Sequence, residues 1–196
     1  MSSNVTLLNL QTLDLSHNAL TVLKVASFIR HINLRHLDLS WNFFDYFTPL
    51  NEDPSQSVSL QILENLDILR LSGLPIQALD LRNRSSFIKT KTLDVSFGKF
   101  TSVSSPFSDF QEIEHINMEG SSVEIFPRDV YKGLVNLVSI KSSNFQLCCP
   151  QLMPSHMLPK NCIAPSDEIS SCDNLLRSDA YRTFLWAFAF VAVMGK

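Results

Sequence analysis

The sequence predicts an α/β solenoid in which short parallel strands line a concave face and the convex side is mostly irregular. A disulfide-stapled hinge and an apolar C-terminal helix are expected to follow it. Three observations carry this reading. A pattern of the form L-x-x-L-x-L-x-x-N-x-L runs from Leu10 to Leu20 through Leu13, Leu15 and Asn18, and its starts recur at Leu10, Leu34, Leu66, Thr90, Ile113 and Leu137. All four cysteines fall between Cys148 and Cys172. The chain ends on an uncharged aromatic stretch, Thr183 to Gly195.

The repeat intervals are 24, 32, 24, 23 and 24 residues, the period of a leucine-rich-repeat solenoid. Within one copy, Leu13 and Leu15 alternate with Thr12, Asp14 and Ser16, so a short strand sends leucines inward and polar groups outward. Asn18 sits where the chain leaves the strand, and its amide is suited to bond backbone groups that no ladder satisfies there. The second copy is as clean, with Leu34, Leu37, Leu39 and Asn42. Later copies drift, and Leu74, Gly98, Ser121 and Phe145 stand at the asparagine place. One coil cannot bury its own leucines, so the core comes from stacking, for which six coils suffice.

Composition fits a folded chain of 196 residues, with 45% hydrophobic and 18% charged residues. A net charge of -3 and the absence of any Lys/Arg run exclude bulk-charge recognition of nucleic acid. Met1 to Thr6 has neither the positive nor the apolar region of a signal peptide, so either a cytosolic protein or a missing beginning is expected. Asn4 and Asn83 each open an N-glycosylation triplet, relevant if the chain enters the secretory pathway. Between the second and third copies the repeat is eight residues too long, and the excess lies in Phe43 to Ser59. That stretch reads as a surface bulge whose Phe43, Phe44, Tyr46 and Phe47 fold back over the repeat core.

The solenoid is expected to span residues 1-144. Its outward strand positions form a middle column of Asp14, Asp38, Arg70, Asp94, Asn117 and Lys141, flanked by His36, His115 and Glu119. Such faces grip extended partners, and the acids suit a basic peptide. Against this, Leu-Asp-Leu-Ser is a common way to write the strand, and a solvated structural face is the plainer account.

Residues 145-178 form the hinge or cap. Cys148, Cys149, Cys162 and Cys172 within 25 residues, interleaved with prolines, predict two disulfides. Adjacent Cys148 and Cys149 rarely bond to each other, which favours pairing each with Cys162 or Cys172. Zinc, with His156 as a helper, is disfavoured because Cys162 and Cys172 lack partners at ligand spacing. Residues 179-196 read as the start of a transmembrane helix: thirteen residues span roughly 20 Å, short of the ~30 Å hydrocarbon core. No catalytic motif, cofactor site or metal site is evident: the chain has no Gly-x-Ser-x-Gly, no phosphate loop and no His-Glu-x-x-His.

The order of repeats, then Phe145-Gln146-Leu147-Cys148-Cys149, then Ile169 to Ser178, then an aromatic helix resembles the junction of leucine-rich-repeat G-protein-coupled receptors. The relaxin-family peptide receptors and their invertebrate relatives are the group it resembles. The resemblance implies a plasma-membrane protein with extracellular repeats and a concave face that binds a peptide or protein hormone. It also implies a hinge that relays to a membrane bundle and so to a G protein. On this chain Asp14, Asp38, Asp94 and Glu119 would then face ligand arginines. A secreted decoy and a cytosolic repeat scaffold are the other classes.

Overall fold

The computed structural model describes residues 9–21, 33–44, 65–75, 78–79, 89–103, 107, 110–164 and 172. Seven strands make one parallel sheet: β1 (Thr12–Asp14), β2 (His36–Asp38), β3 (Ile68–Arg70), β5 (Thr92–Asp94), β7 (His115–Met118), β8 (Ser139–Ser142) and β9 (Cys162–Ile163), in that order. Two shorter strands, β4 (Ala78–Leu79) and β6 (Ser102–Val103), form a second parallel ladder, which Ile125 extends through a bridge to Ser102. Among the described residues the convex side is therefore partly ordered into strand.

The register follows the leucine pattern through all six coils. Leu13, Leu37, Leu69, Leu93, Ile116 and Ile140 are successive partners, so each coil begins where the repeat predicts, including the 32-residue interval. Their side chains stack into one core with two further columns. Leu34, Leu66, Thr90, Ile113 and Leu137 form one; Leu39, Leu71, Val95, Met118 and Ser142 form the other, and all are buried. Leu10, Leu13, Leu15 and Leu20 of the first coil are only partly buried against that core.

Asn18 and Asn42 perform the expected capping. The Asn18 amide donates to the Leu15 and Ser16 carbonyls, at 3.0 Å each. Buried Asn42 donates to Leu39 O and, across the coil boundary, to Leu15 O, both at 2.9 Å, and accepts the Leu20 N–H at 3.1 Å. Ser121 takes over the inter-coil bond by donating from its hydroxyl to Val95 O at 3.0 Å. In the last coil the task moves one residue early: Asn144 donates to Val123 O at 2.7 Å and accepts from Gln146 N at 2.9 Å, capping a 3-10 turn over Phe145–Cys148.

Cys148 bonds Cys162 and Cys149 bonds Cys172, so each adjacent cysteine pairs with a distant one. The first bridge fastens β9 beside β8, with Cys162 opposite Ile140, so the cap extends the sheet by a seventh strand that the repeat pattern does not signal. With every cysteine oxidised the zinc alternative falls, and His156 hydrogen-bonds Leu137 O at 3.0 Å instead. One expectation needs correction. Phe44 is buried, but its neighbour Phe43 is 61% exposed, because adjacent residues of an extended segment face opposite ways. Tyr46, Phe47, Asn4, Asn83 and the segment 179-196 lie outside the described residues. Cys172 is helical, and among the described residues no helix is long and apolar enough to cross a membrane.

Candidate functional site

The sheet's outward face is built by strand alternation. With Leu13 and its equivalents inward, Asp14, Asp38, Arg70, Asp94, Asn117 and Lys141 become consecutive partners in one column. His36 and His115 lie in the neighbouring column with Thr12, Ile68, Thr92 and Ser139. Glu119 is exposed just past the end of β7. Of the nine expected face residues, eight thus lie on one side of one sheet and Glu119 follows at its edge.

The aspartates also have structural work. Oδ1 of Asp14, Asp38 and Asp94 accepts the backbone N–H two residues on, from Ser16 at 2.8 Å and from Ser40 and Ser96 at 3.0 Å. Asn117 does the same for Glu119 N at 3.1 Å. These bonds satisfy N–H groups at the strand ends, which is why Asp-x-Ser recurs. At the third coil, where Arg70 replaces aspartate, Ser72 N turns to Ser40 Oγ at 3.1 Å. Ser72 and Ser96 both reach Asp94 Oδ1, at 2.9 and 2.7 Å. Arg70 stands 3.6 Å from Asp38 Oδ2, a solvated pair. Hydrogen bonds from the Ser16 hydroxyl and backbone N–H hold the Asp14 carboxyl below its usual range. The second oxygen of Asp14 and of Asp94 is left for solvent or a partner, whereas that of Asp38 faces Arg70.

A second feature escapes a reading based on leucine period. In each of the first five coils the residue after the outward Ser or Glu takes a left-handed backbone: His17, Trp41, Gly73, Phe97 and Gly120, with φ of 53°, 57°, 67°, 54° and 72°. All five of their N–H groups donate to the next coil, four to backbone carbonyls, including His17 to Ser40 O at 2.9 Å and Phe97 to Glu119 O at 2.7 Å, and Gly120 to the Ser143 hydroxyl at 2.7 Å. A left-handed turn costs a non-glycine residue about 1–2 kcal/mol, so these bonds and the rings must compensate. His17 stacks on Trp41 with centroids 5.8 Å apart, and Trp41 on Phe97 at 6.2 Å although a coil lies between them. Gly73 makes that reach possible, since a Cβ there would collide with the Trp41 indole; Gly120 clears the same room for Phe97. The result is an aromatic ladder along the sheet's rim, with Trp41 45% and Phe97 55% exposed. The legible signal was the residue preceding each asparagine place.

Among the described residues no cluster of His, Cys, Asp or Glu could hold a metal ion. Comparison with known proteins agrees with the repeat reading. The family model for the leucine-rich repeat matches residues 9–30 and 33–55, the first two coils. The chain carries leucine-rich repeats. Over 67 residues it is 31% identical to the G-protein coupled receptor GRL101 of Lymnaea stagnalis, an alignment covering 34% of this chain and 6% of that receptor. It is also 24% identical over 173 residues to an adenylate cyclase of Schizosaccharomyces pombe, which covers 67% of this chain and 10% of that enzyme. The chain thus spans no more than a tenth of the length of either relative. Leucine-rich repeats as a class stack into extended surfaces that bind proteins.

Proposed function

We propose that the chain is part of the ligand-binding ectodomain of a G-protein-coupled receptor for a peptide or protein hormone. The outward sheet face binds the ligand, and the disulfide cap relays the event toward a membrane bundle. The observation that carries this reading is the joining of an acid-lined parallel sheet to a doubly disulfide-bonded cap, in a chain similar over a third of its length to a G-protein coupled receptor. Disulfides favour an oxidising compartment, and with it the plasma membrane with the repeats outside. The candidate ligand face comprises Asp14, His36, Asp38, Arg70, Asp94, Asn117 and Glu119, and the ligand is basic.

Two measurements test this. A tag placed ahead of Met1 in the uninterrupted reading frame should be labelled on intact cells; labelling only after permeabilisation refutes the receptor reading. A synthetic arginine- and lysine-rich peptide should bind the chain, and replacing Asp14, Asp38 and Asp94 together by lysine should abolish that binding. Unchanged affinity would return the column to its structural role alone.

A further inference from the structure

The aromatic ladder has an unusual distribution. Coils that carry an aspartate in the middle column carry a ring three residues later: Asp14 with His17, Asp38 with Trp41, Asp94 with Phe97. The third and fifth coils have Arg70 and Asn117 in that column and carry Gly73 and Gly120 at the ring place. Glycine meets the left-handed turn without strain, whereas His17, Trp41 and Phe97 pay for it and leave their rings in solvent rather than in the core. Strain retained without burial points to display.

The rings are also fixed in place. Trp41 is held between His17 and Phe97 over the Gly73 backbone, and Phe97 lies over Gly120, so a partner meets side chains already ordered. Phe43, two residues beyond Trp41, adds a further exposed ring. Beside this ledge the middle column is acidic through Asp14, Asp38 and Asp94, of which Asp38 also faces Arg70, and the ledge itself is apolar through its rings.

We propose that this ledge is the anchoring subsite for a polypeptide partner that presents large aliphatic or aromatic side chains to Trp41 and Phe97, and lysine or arginine to the flanking aspartates. The proposal rests on the reading of the sheet face as a ligand surface and adds that apolar burial on the rim, rather than charge on the sheet, supplies most of the affinity. Aromatic anchors fixed beside charge are the usual centres of binding energy.

The test uses the full oxidised chain and three synthetic probes: a short amphipathic leucine–lysine peptide, a serine–lysine peptide of equal charge and a leucine–glutamate peptide. Calorimetry should show the leucine–lysine probe binding at least about tenfold more tightly than either control. Trp41→Ala, Phe97→Ala and Gly73→Ala, the last displacing the indole without removing it, should each cost that preference while circular dichroism and the melting curve show a folded chain. Equal binding of the two basic probes, or a preference that survives Trp41→Ala and Phe97→Ala, overturns the ledge. If in that case the triple aspartate replacement still abolishes binding, the acidic ligand face stands and only the ledge fails. If no probe binds, the ledge fails as stated, whereas cell-surface labelling judges the receptor reading separately.

Discussion

Tyr131→Phe should stabilise the chain at neutral pH and flatten its loss of stability in alkali. Tyr131 is 1% exposed, its ring stacks on Phe107 with centroids 6.2 Å apart, and its hydroxyl has no hydrogen-bond partner among the described residues. A buried unsatisfied hydroxyl costs about 1–3 kcal/mol, and phenylalanine keeps the ring while removing that group. The expected gain is about 1 kcal/mol, or about 2–4 °C in Tm for a chain of this size. Burial pushes the phenol well above its ordinary value near 10. The native state therefore keeps its proton after the unfolded chain has lost it. Stability from this group is fully present below about pH 10 and falls by roughly 1.4 kcal/mol per pH unit above it. Urea unfolding of the oxidised chain, followed by circular dichroism at neutral pH and in steps above pH ~10, measures both effects. Other tyrosines and lysines act equally on both proteins and cancel in the difference. Coincident alkaline limbs, or a variant weaker than wild type by more than about 1 kcal/mol at neutral pH, would refute the burial argument.

Leu37→Asp puts an unpaired charge where the leucine is 1% exposed, and cooperative melting should vanish; an unchanged melt would mean the coil register is wrong. Asn42→Ala strips donors from Leu15 O and Leu39 O and an acceptor from Leu20 N, with an expected loss of about 3 kcal/mol by urea titration. Gly120→Ala forces a left-handed alanine against Phe97 and should cost about 1–3 kcal/mol, with proteolysis at the rim as a second readout. Replacing Cys148 and Cys162 together by serine should cost about 3 kcal/mol and raise hydrogen exchange at Lys141 and Ile163, while the amides of β2 and β3 keep their protection.

The strands were legible because leucine period fixes register, and register fixes which residues face out. Spacing alone thus sets Asp14, Asp38 and Asp94 in one outward column. Their bonds to Ser16, Ser40 and Ser96 were not legible, because an Asx bond depends on how the backbone bends at the strand end. The ladder was hidden for a similar reason. The eighth position of the repeat carries His17, Trp41, Gly73, Phe97 and Gly120, and no periodicity rule distinguishes a ring on the rim from a ring in the core. Phe43 and Phe44 show the same limit at the scale of one residue. β9 left no trace in composition, since two residues, Cys162 and Ile163, join the sheet beside the bridge from Cys148.

The division of work within each coil bears on what the outward face can recognise. One carboxylate oxygen in the first, second and fourth coils is committed to the chain's own backbone, and Asp38 also faces Arg70. Solvated acids of this kind steer a basic partner and set its orientation, but they add little affinity each. The rim differs, since its apolar edges are held in one geometry by left-handed turns and by glycines in the next coil. A face built this way separates approach from retention: weakening the aspartates should slow association most, and weakening the rings should speed dissociation most. The two kinds of variant are therefore distinguishable by rates even where their equilibrium losses agree.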